Sequence, residues 1–326
     1  DPSVERLFEG FAFLMGRLRE KLDDDLPELT EGLVSLLWPH YLRTIPSLSI
    51  VELAPELGKM KRNELIETGF EVLSQPIGVQ RTRCRYTTTQ DLTLRPLALE
   101  SVRLAHEPDG RSVLRLRFAR GAMSTWNEMD LSRLPLYLNA DASLASALHQ
   151  ALTLNAQALY VRLPDQTGRS LLEGHFSPKG FGDEDRLWPK GDSAFSGYQL
   201  LLEYFTFREK FMFVTLCGLE RLELPPNTPW FELEVVLREP LPQAFIPSAE
   251  HIRLHCVPVI NLFTLESDPM TLAPLQTDYL LRPMRLQDGH TEIYSVDRVS
   301  GSKSAVRHEY VPFTSFRHKG GMLRDE

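Results

Sequence analysis

Cysteine is scarce in this sequence. Of 326 residues only Cys84, Cys217 and Cys256 are cysteines. No two of them stand at metal-ligand or redox spacing, and an odd, scattered set builds no disulfide framework. The pattern suits small buried thiols in a reducing cytoplasm. Long apolar runs are also missing. No stretch approaches the ~20 residues of a membrane-spanning helix, so direct membrane insertion is not expected. Positive charge is not in excess, with 36 Lys and Arg against 44 Asp and Glu and a net charge of −8. That balance argues against a general nucleic-acid surface, which needs concentrated positive charge, and no nucleic-acid partner is expected. The nucleotide motifs are absent as well. There is no phosphate loop and no nucleophile elbow, and Gly180-Phe181-Gly182 lacks the third glycine and the strand-to-helix setting of a dinucleotide fingerprint. The chain starts at Asp1 with neither Met nor a signal-peptide pattern, so a fragment or a processed form is expected.

The composition is 42% hydrophobic and 25% charged, that of an ordinary globular chain, and the length predicts two or three domains. Val4, Leu7, Phe8, Phe11, Leu14, Leu18 and Leu22 recur at three- and four-residue steps, which predicts one amphipathic helix. Asp23-Asp24-Asp25 and Pro27 punctuate it. Leu29, Leu33, Leu36, Leu37 and Tyr41 then predict a second helix, closing a helical hairpin over residues 1–46. From Ser47 the period changes to two. Short strands are predicted at Ser47–Leu53, Glu71–Leu73, Arg83–Thr88 and Leu92–Leu94. A hairpin turns at Glu107-Pro108-Asp109-Gly110 into Leu114, Leu116 and Phe118. Another strand covers Leu134–Leu138, a helix about Ala142–Leu154, and a strand Leu159–Leu163. The Gly-, Pro- and Asp-rich segment after Leu163 marks a boundary. Beyond it, a helix is predicted at Gly197–Phe205 and a strand at Phe211–Cys217. Phe231, Leu233, Val235 and Leu237 form a strand with one buried and one mainly wet face. A short helix at Pro247–Cys256 and strands at Tyr279–Met284 and Glu292–Val299 complete the pattern. The fold class expected is α+β, mainly β. The domains expected are a helical segment at 1–46 and β-rich domains at 47–165 and 166–326, each a sandwich or barrel-like module with short inserted helices.

Candidate chemistry is thin. His251 and His255 would share a face if their segment were helical, but no glutamate follows His251 and no third ligand is near, so ordinary histidines are favoured over a metal clip. Ser300-Gly301-Ser302-Lys303 matches a short nucleophile motif without its partner motifs and is read as a turn. Asp23-Asp24-Asp25 and Asp183-Glu184-Asp185 lack the spacing of a calcium loop. Arg111, Arg115, Arg117 and Arg120 suit the solvated face of a strand better than a basic patch. Tyr198, Tyr204, Phe205, Phe207, Phe211 and Phe213 crowd a short helix and the strand after it. Core packing is favoured there over an exposed partner surface.

Read together, several segments resemble a known family. Val4 to Leu14, Lys21-Leu22-Asp23-Asp24 and Pro27-Glu28-Leu29-Thr30 are similar to the opening of TssF proteins (also called VasA or ImpG). Leu37-Trp38-Pro39-His40-Tyr41-Leu42-Arg43 with Ile45-Pro46-Ser47 is the most specific match. Cys84 to Thr88, Ser196-Gly197-Tyr198, Glu203-Tyr204-Phe205, Glu209-Lys210-Phe211, Val259 to Phe263 and Glu292 to Asp297 follow in order. The resemblance implies a fragment lacking parts of both ends of a type VI secretion baseplate subunit. Such a subunit is a structural wedge component, not an enzyme, and no catalytic residue, cofactor or metal is carried over. Its implied partners are TssG, TssK and another TssF copy, with the VgrG spike hub and the sheath and tube components beyond them, as in contractile phage tails. Its implied place is the bacterial cytoplasm, at a baseplate docked to the inner-membrane complex. Leu36, Leu37, Trp38 and Tyr41 are candidate interface residues, with capping of the first β module as the equal alternative. A carbohydrate-binding β-sandwich or an uncharacterised hydrolase is the competing class, and it would require a concave pocket with exposed aromatics or convergent acids.

Overall fold

The computed structural model describes residues 2–37, 41–108, 110–164, 170–188, 196–242, 244–273, 275–276, 278–286, 289–303 and 306–310. In chain order its elements begin with α1 (Pro2–Leu37), β1 (Leu48–Glu52), β2 (Glu64–Ile66), β3 (Glu71–Leu73), β4 (Arg85–Thr88) and β5 (Leu92–Leu94). The centre of the chain holds β6 (Leu97–His106), β7 (Ser112–Arg120), β8 (Arg133–Leu138), α2 (Ala142–Thr153), β9 (Ala156–Arg162), β10 (Ser170–Leu172) and β11 (His175–Lys179). Then come α3 (Ser196–Thr206), β12 (Phe213–Cys217), β13 (Trp230–Leu237), β14 (Ile252–Arg253), β15 (Cys256–Ile260), β16 (Val299–Lys303) and β17 (Val306–Tyr310). The protein is α+β and mainly β, and its described strand pairings are antiparallel.

The chain forms two compact units. One is Pro46–Pro189 with Leu200–Thr264, and the other is Asp1–Ile45, Lys190–Gln199 and Leu265–Glu326. In the first, a five-stranded sheet runs β10-β9-β13-β7-β6 and a four-stranded sheet runs β11-β12-β8-β14. One cluster of buried side chains joins them, including Leu114, Leu116 and Phe118 of β7, Leu134 and Leu136 of β8, Val214 and Leu216 of β12, and Phe231 and Leu233 of β13. Leu144, Leu148 and Leu152 of α2 fill the same core. Each such side chain contributes about 1.5–3 kcal/mol when fully buried. A third sheet, β1-β15-β4-β3, has a smaller core of Leu92, Val257 and Val259 backed by Val51, Ile66 and Tyr86. The β6–β7 hairpin closes at the expected turn. Gly110 takes φ +84°, a region that disfavours residues with a Cβ, and its N–H donates to the Glu107 carbonyl at 2.9 Å.

Several expectations are corrected. The N-terminal region is a single 36-residue helix and not a hairpin. Pro27 removes one backbone donor, yet Leu22, Leu26, Leu29 and Leu33 keep the spacing of four, three and four across it, so the helical register is unbroken. The boundary expected between 165 and 166 is not a sheet boundary. β9 precedes it, yet pairs with β13 far beyond it, and β8 pairs with β12. Strands from both expected β modules interleave in common sheets. Residues 247–256 are turns and the short β14, not a helix. Neither Tyr279–Met284 nor residues 292–298 are strands, and the described strand there is β16.

The wet face expected on β13 is buried too. Glu232 and Glu234 are both enclosed. β13 is the central strand of its sheet, and the arginines of β7 lie across its carboxylates. Arg115 Nε donates to Glu234 at 2.9 Å, and Arg117 Nη2 to Glu232 at 3.0 Å. Arg117 also stacks over Trp230 at 4.1 Å. Removal of the Glu232 carboxylate would take from the half-covered Arg117 guanidinium its ion-pair partner, whereas Arg115 without Glu234 would keep Glu107, which its Nη2 meets at 2.8 Å. The arginine series is thus neither a free basic patch nor a fully solvated face.

Candidate assembly surface

An amphipathic helix normally turns its apolar stripe inward. α1 does not. Leu7 is 73% exposed and Phe11 63%, and Val4, Phe8, Leu14, Met15, Leu18 and Leu33 are exposed with them. From Val4 to Leu18 the exposed stripe runs about 21 Å at 1.5 Å per residue, a continuous apolar surface and not the single scattered residues usual on a protein. Phe13 is 66% exposed and lies off the stripe, with the Arg17 guanidinium 5.9 Å from its ring centroid. Periodicity alone passes over that residue, and the only signal for it is an aromatic where an amphipathic helix should be polar. Of the candidate interface residues, Leu36 and Leu37 lie in the last turn of α1, Tyr41 is 63% exposed, and Trp38 lies outside the described residues.

The other candidates have individual partners. His251 sits in a turn, where its Nδ1 accepts from the Ser248 N–H at 3.1 Å. His255 is buried, and its Nε2 accepts from the Arg95 N–H at 3.2 Å. The helix that would put both imidazoles on one face is absent. Ser300 and Lys303 lie in β16, paired opposite Glu309 and Val306, so their segment is a strand and not the expected turn. Asp23-Asp24-Asp25 are within α1. Asp185 is buried, and its Oδ2 accepts from the Gly180 and Gly182 N–H groups at 2.9 and 3.3 Å. Among the described residues no three His, Cys, Asp or Glu side chains cluster as a metal site, and no helix is long and apolar enough to cross a membrane.

An open cleft lies beside β1, lined by Leu48, Ile50, Glu52, Tyr137, Glu209 and Arg253 among others. Burial, with the Glu209 charge secondary, pushes the Tyr137 hydroxyl up to about 12. Burial likewise pushes the Cys256 thiol up to about 12, which removes it as a nucleophile near neutral pH. Arg253 and Glu52 pair across the rim at 3.5 Å.

The aromatic run divides. Phe207, Phe211 and Phe213 are buried, as core packing requires, whereas Tyr198, Tyr204 and Phe205 are exposed. Alternation and helical phase could not decide this split, because the turn after α3 sets which rings point inward.

The fold and this surface define an antiparallel α+β protein with an enclosed β core and a long helix whose apolar side chains from Val4 to Leu18 are exposed, the build of an assembly component. The chain belongs to the TssF family: the model described as "Type VI secretion system, TssF" matches residues 1–325. The type VI secretion system component TssF1 of Pseudomonas aeruginosa is 33% identical over 342 residues, covering 100% of this chain and 55% of that protein. A chain in the solved type VI secretion TssK-TssF-TssG baseplate subcomplex is 62% identical, with a TM-score of 0.85 over 98% of this chain and 61% of its own length. A chain in a second solved baseplate complex of the type VI secretion system is 57% identical, with a TM-score of 0.61 and 99% and 56% coverage. The chain therefore spans little more than half the length of these relatives.

Proposed function

We propose that this chain is part of a structural, non-catalytic wedge component of the type VI secretion baseplate. It assembles with TssG, TssK and another TssF copy, around the VgrG hub and beneath the sheath and tube. Its place is the bacterial cytoplasm, at a baseplate docked to the inner-membrane complex. The observation that carries the proposal is the exposed apolar face of α1, in a chain 62% identical to one in the TssK-TssF-TssG subcomplex. Leaving several large apolar side chains in water forgoes about 1.5–3 kcal/mol for each one a partner would bury. The proposed contact includes Leu36 and Leu37 in the last turn of α1 and, beyond the helix in sequence, the candidate residues Trp38 and Tyr41.

The test is co-purification of this chain, and of the full-length protein, with TssG and TssK from the same bacterium. Both should recover the complex, and Leu7→Asp with Phe11→Asp should abolish recovery while thermal unfolding of the variant stays unchanged. Trp38→Ala should weaken recovery in the folded fraction. If neither form binds TssG or TssK, the baseplate assignment fails. If both bind and the α1 variants bind equally well, the helix is not the assembly surface.

A further inference from the structure

On the first compact unit, the part of α3 from Leu200 onward and the turn after it carry a second apolar surface, apart in sequence from α1. Phe205 is 73% exposed, Phe181 55%, Leu201 54% and Tyr204 45%. They form one patch. Phe181 and Tyr204 each pack on the buried Phe211, with ring centroids 5.0 and 5.4 Å away, and Tyr204 meets Phe205 edge-on at 5.4 Å. Leu201 precedes Tyr204 and Phe205 by three and four residues, so it shares their side of the helix.

The support beneath the patch is rigid. Glu203 and Lys210 form an ion pair that is wholly buried, and the other Glu203 oxygen accepts from the Leu187 N–H at 3.0 Å. This pair pins α3 to the turn carrying Phe211. Gly180, at φ +106°, brings the strand end that precedes Phe181 so close that a Cβ there would lie 2.7 Å from the Lys210 carbonyl oxygen. Rings held in this way lose little conformational freedom when something covers them, which is the property of an anchor residue.

Charge identifies the occupant. The Arg208 guanidinium lies 5.9 Å from the Tyr204 ring centroid, and it makes no ion pair among the described residues. A cation held at the border of an aromatic patch is satisfied by a carboxylate brought by the partner.

We propose that Phe181, Leu201, Tyr204, Phe205 and Arg208 form a docking surface for an apolar segment of another baseplate protein that carries an Asp or Glu, the apolar side chains covering Phe205 and the carboxylate pairing with Arg208. The proposal rests on the baseplate assignment, from which its probes, TssG and TssK, are taken.

The experiment places photoreactive p-benzoylphenylalanine at position 205 of the full-length protein produced together with TssG and TssK. The expected cross-link joins position 205 to an apolar segment of one of them, within a helical turn of an acidic residue. Phe205→Ala and Arg208→Glu should each weaken that partner's binding about tenfold or more while leaving the unfolding temperature unchanged, since both side chains are exposed. Reversing the mapped carboxylate to Lys should restore binding to Arg208→Glu. A wild-type complex that forms without a cross-link from 205 and tolerates both substitutions overturns the proposal and leaves the baseplate assignment standing. A cross-link only to a second copy or within the same chain also overturns it. Failure of the wild-type proteins to associate removes the baseplate assignment, and this surface with it.

Discussion

His255 is held by three constraints at once. It is buried, its backbone takes the left-handed φ of +55°, and its Nε2 accepts the Arg95 N–H. Arg95 is itself enclosed, with Nε donating to the Asp130 carbonyl at 2.6 Å and Nη2 to the Arg133 carbonyl at 3.0 Å. An imidazole that accepts through Nε2 must be neutral there. Burial, and after it the Arg95 charge, pushes its pKa down from 6.5 to about 4. The unfolded chain then binds more protons than the folded one between those values. The stabilisation is complete above pH 6.5 and is lost as pH falls toward 4. At ~1.4 kcal/mol per pH unit the loss is about 3 kcal/mol. Urea unfolding at pH 7.0 and pH 4.5 should show this drop in the wild type and a clearly smaller one in His255→Gln. An equal drop in both would show that other groups carry it.

At the scale of the element, α2 follows its sequence signals closely. Asp141 is its N-cap, with Oδ1 accepting from the Leu144 N–H at 3.2 Å, and Leu144, Leu148 and Leu152 form the buried face. Asp141→Ala should cost about 1 kcal/mol, read as a lowered denaturation midpoint with an unchanged slope. α1 shows the opposite case. Pro27 and the acidic run read as a stop, yet the apolar register passes through them, and one missing hydrogen bond does not end a helix whose two halves remain in phase. β13 shows a third. Its alternation correctly assigns Phe231, Leu233 and Val235 to the core, but it cannot show that Arg115 and Arg117 of β7 would cover Glu234 and Glu232.

For the whole molecule, the main apolar cluster, among the described residues, draws on residues from Leu97 to Leu254 and the smaller one on residues from Val51 to Val259. Neither includes α1 or the chain after Thr264. A protein of residues 46–264 should therefore fold alone, with a β-rich circular dichroism spectrum and one cooperative thermal transition. A broad, non-cooperative transition would show that the other compact unit is required for the core.

The sequence by itself determined the α+β, mainly β class, the family, most strand positions, and α2 with its cap, because periodicity, turn residues and ordered motifs are local quantities. It also singled out the aromatic run around Tyr204. Tertiary structure decided which strands share a sheet, that Glu232 and Glu234 are enclosed, and that Phe211 turns inward while Phe205 stays in water. Those outcomes depend on partners from about seventy to more than a hundred residues away or on the direction of a single turn, and neither leaves a periodic trace in the chain.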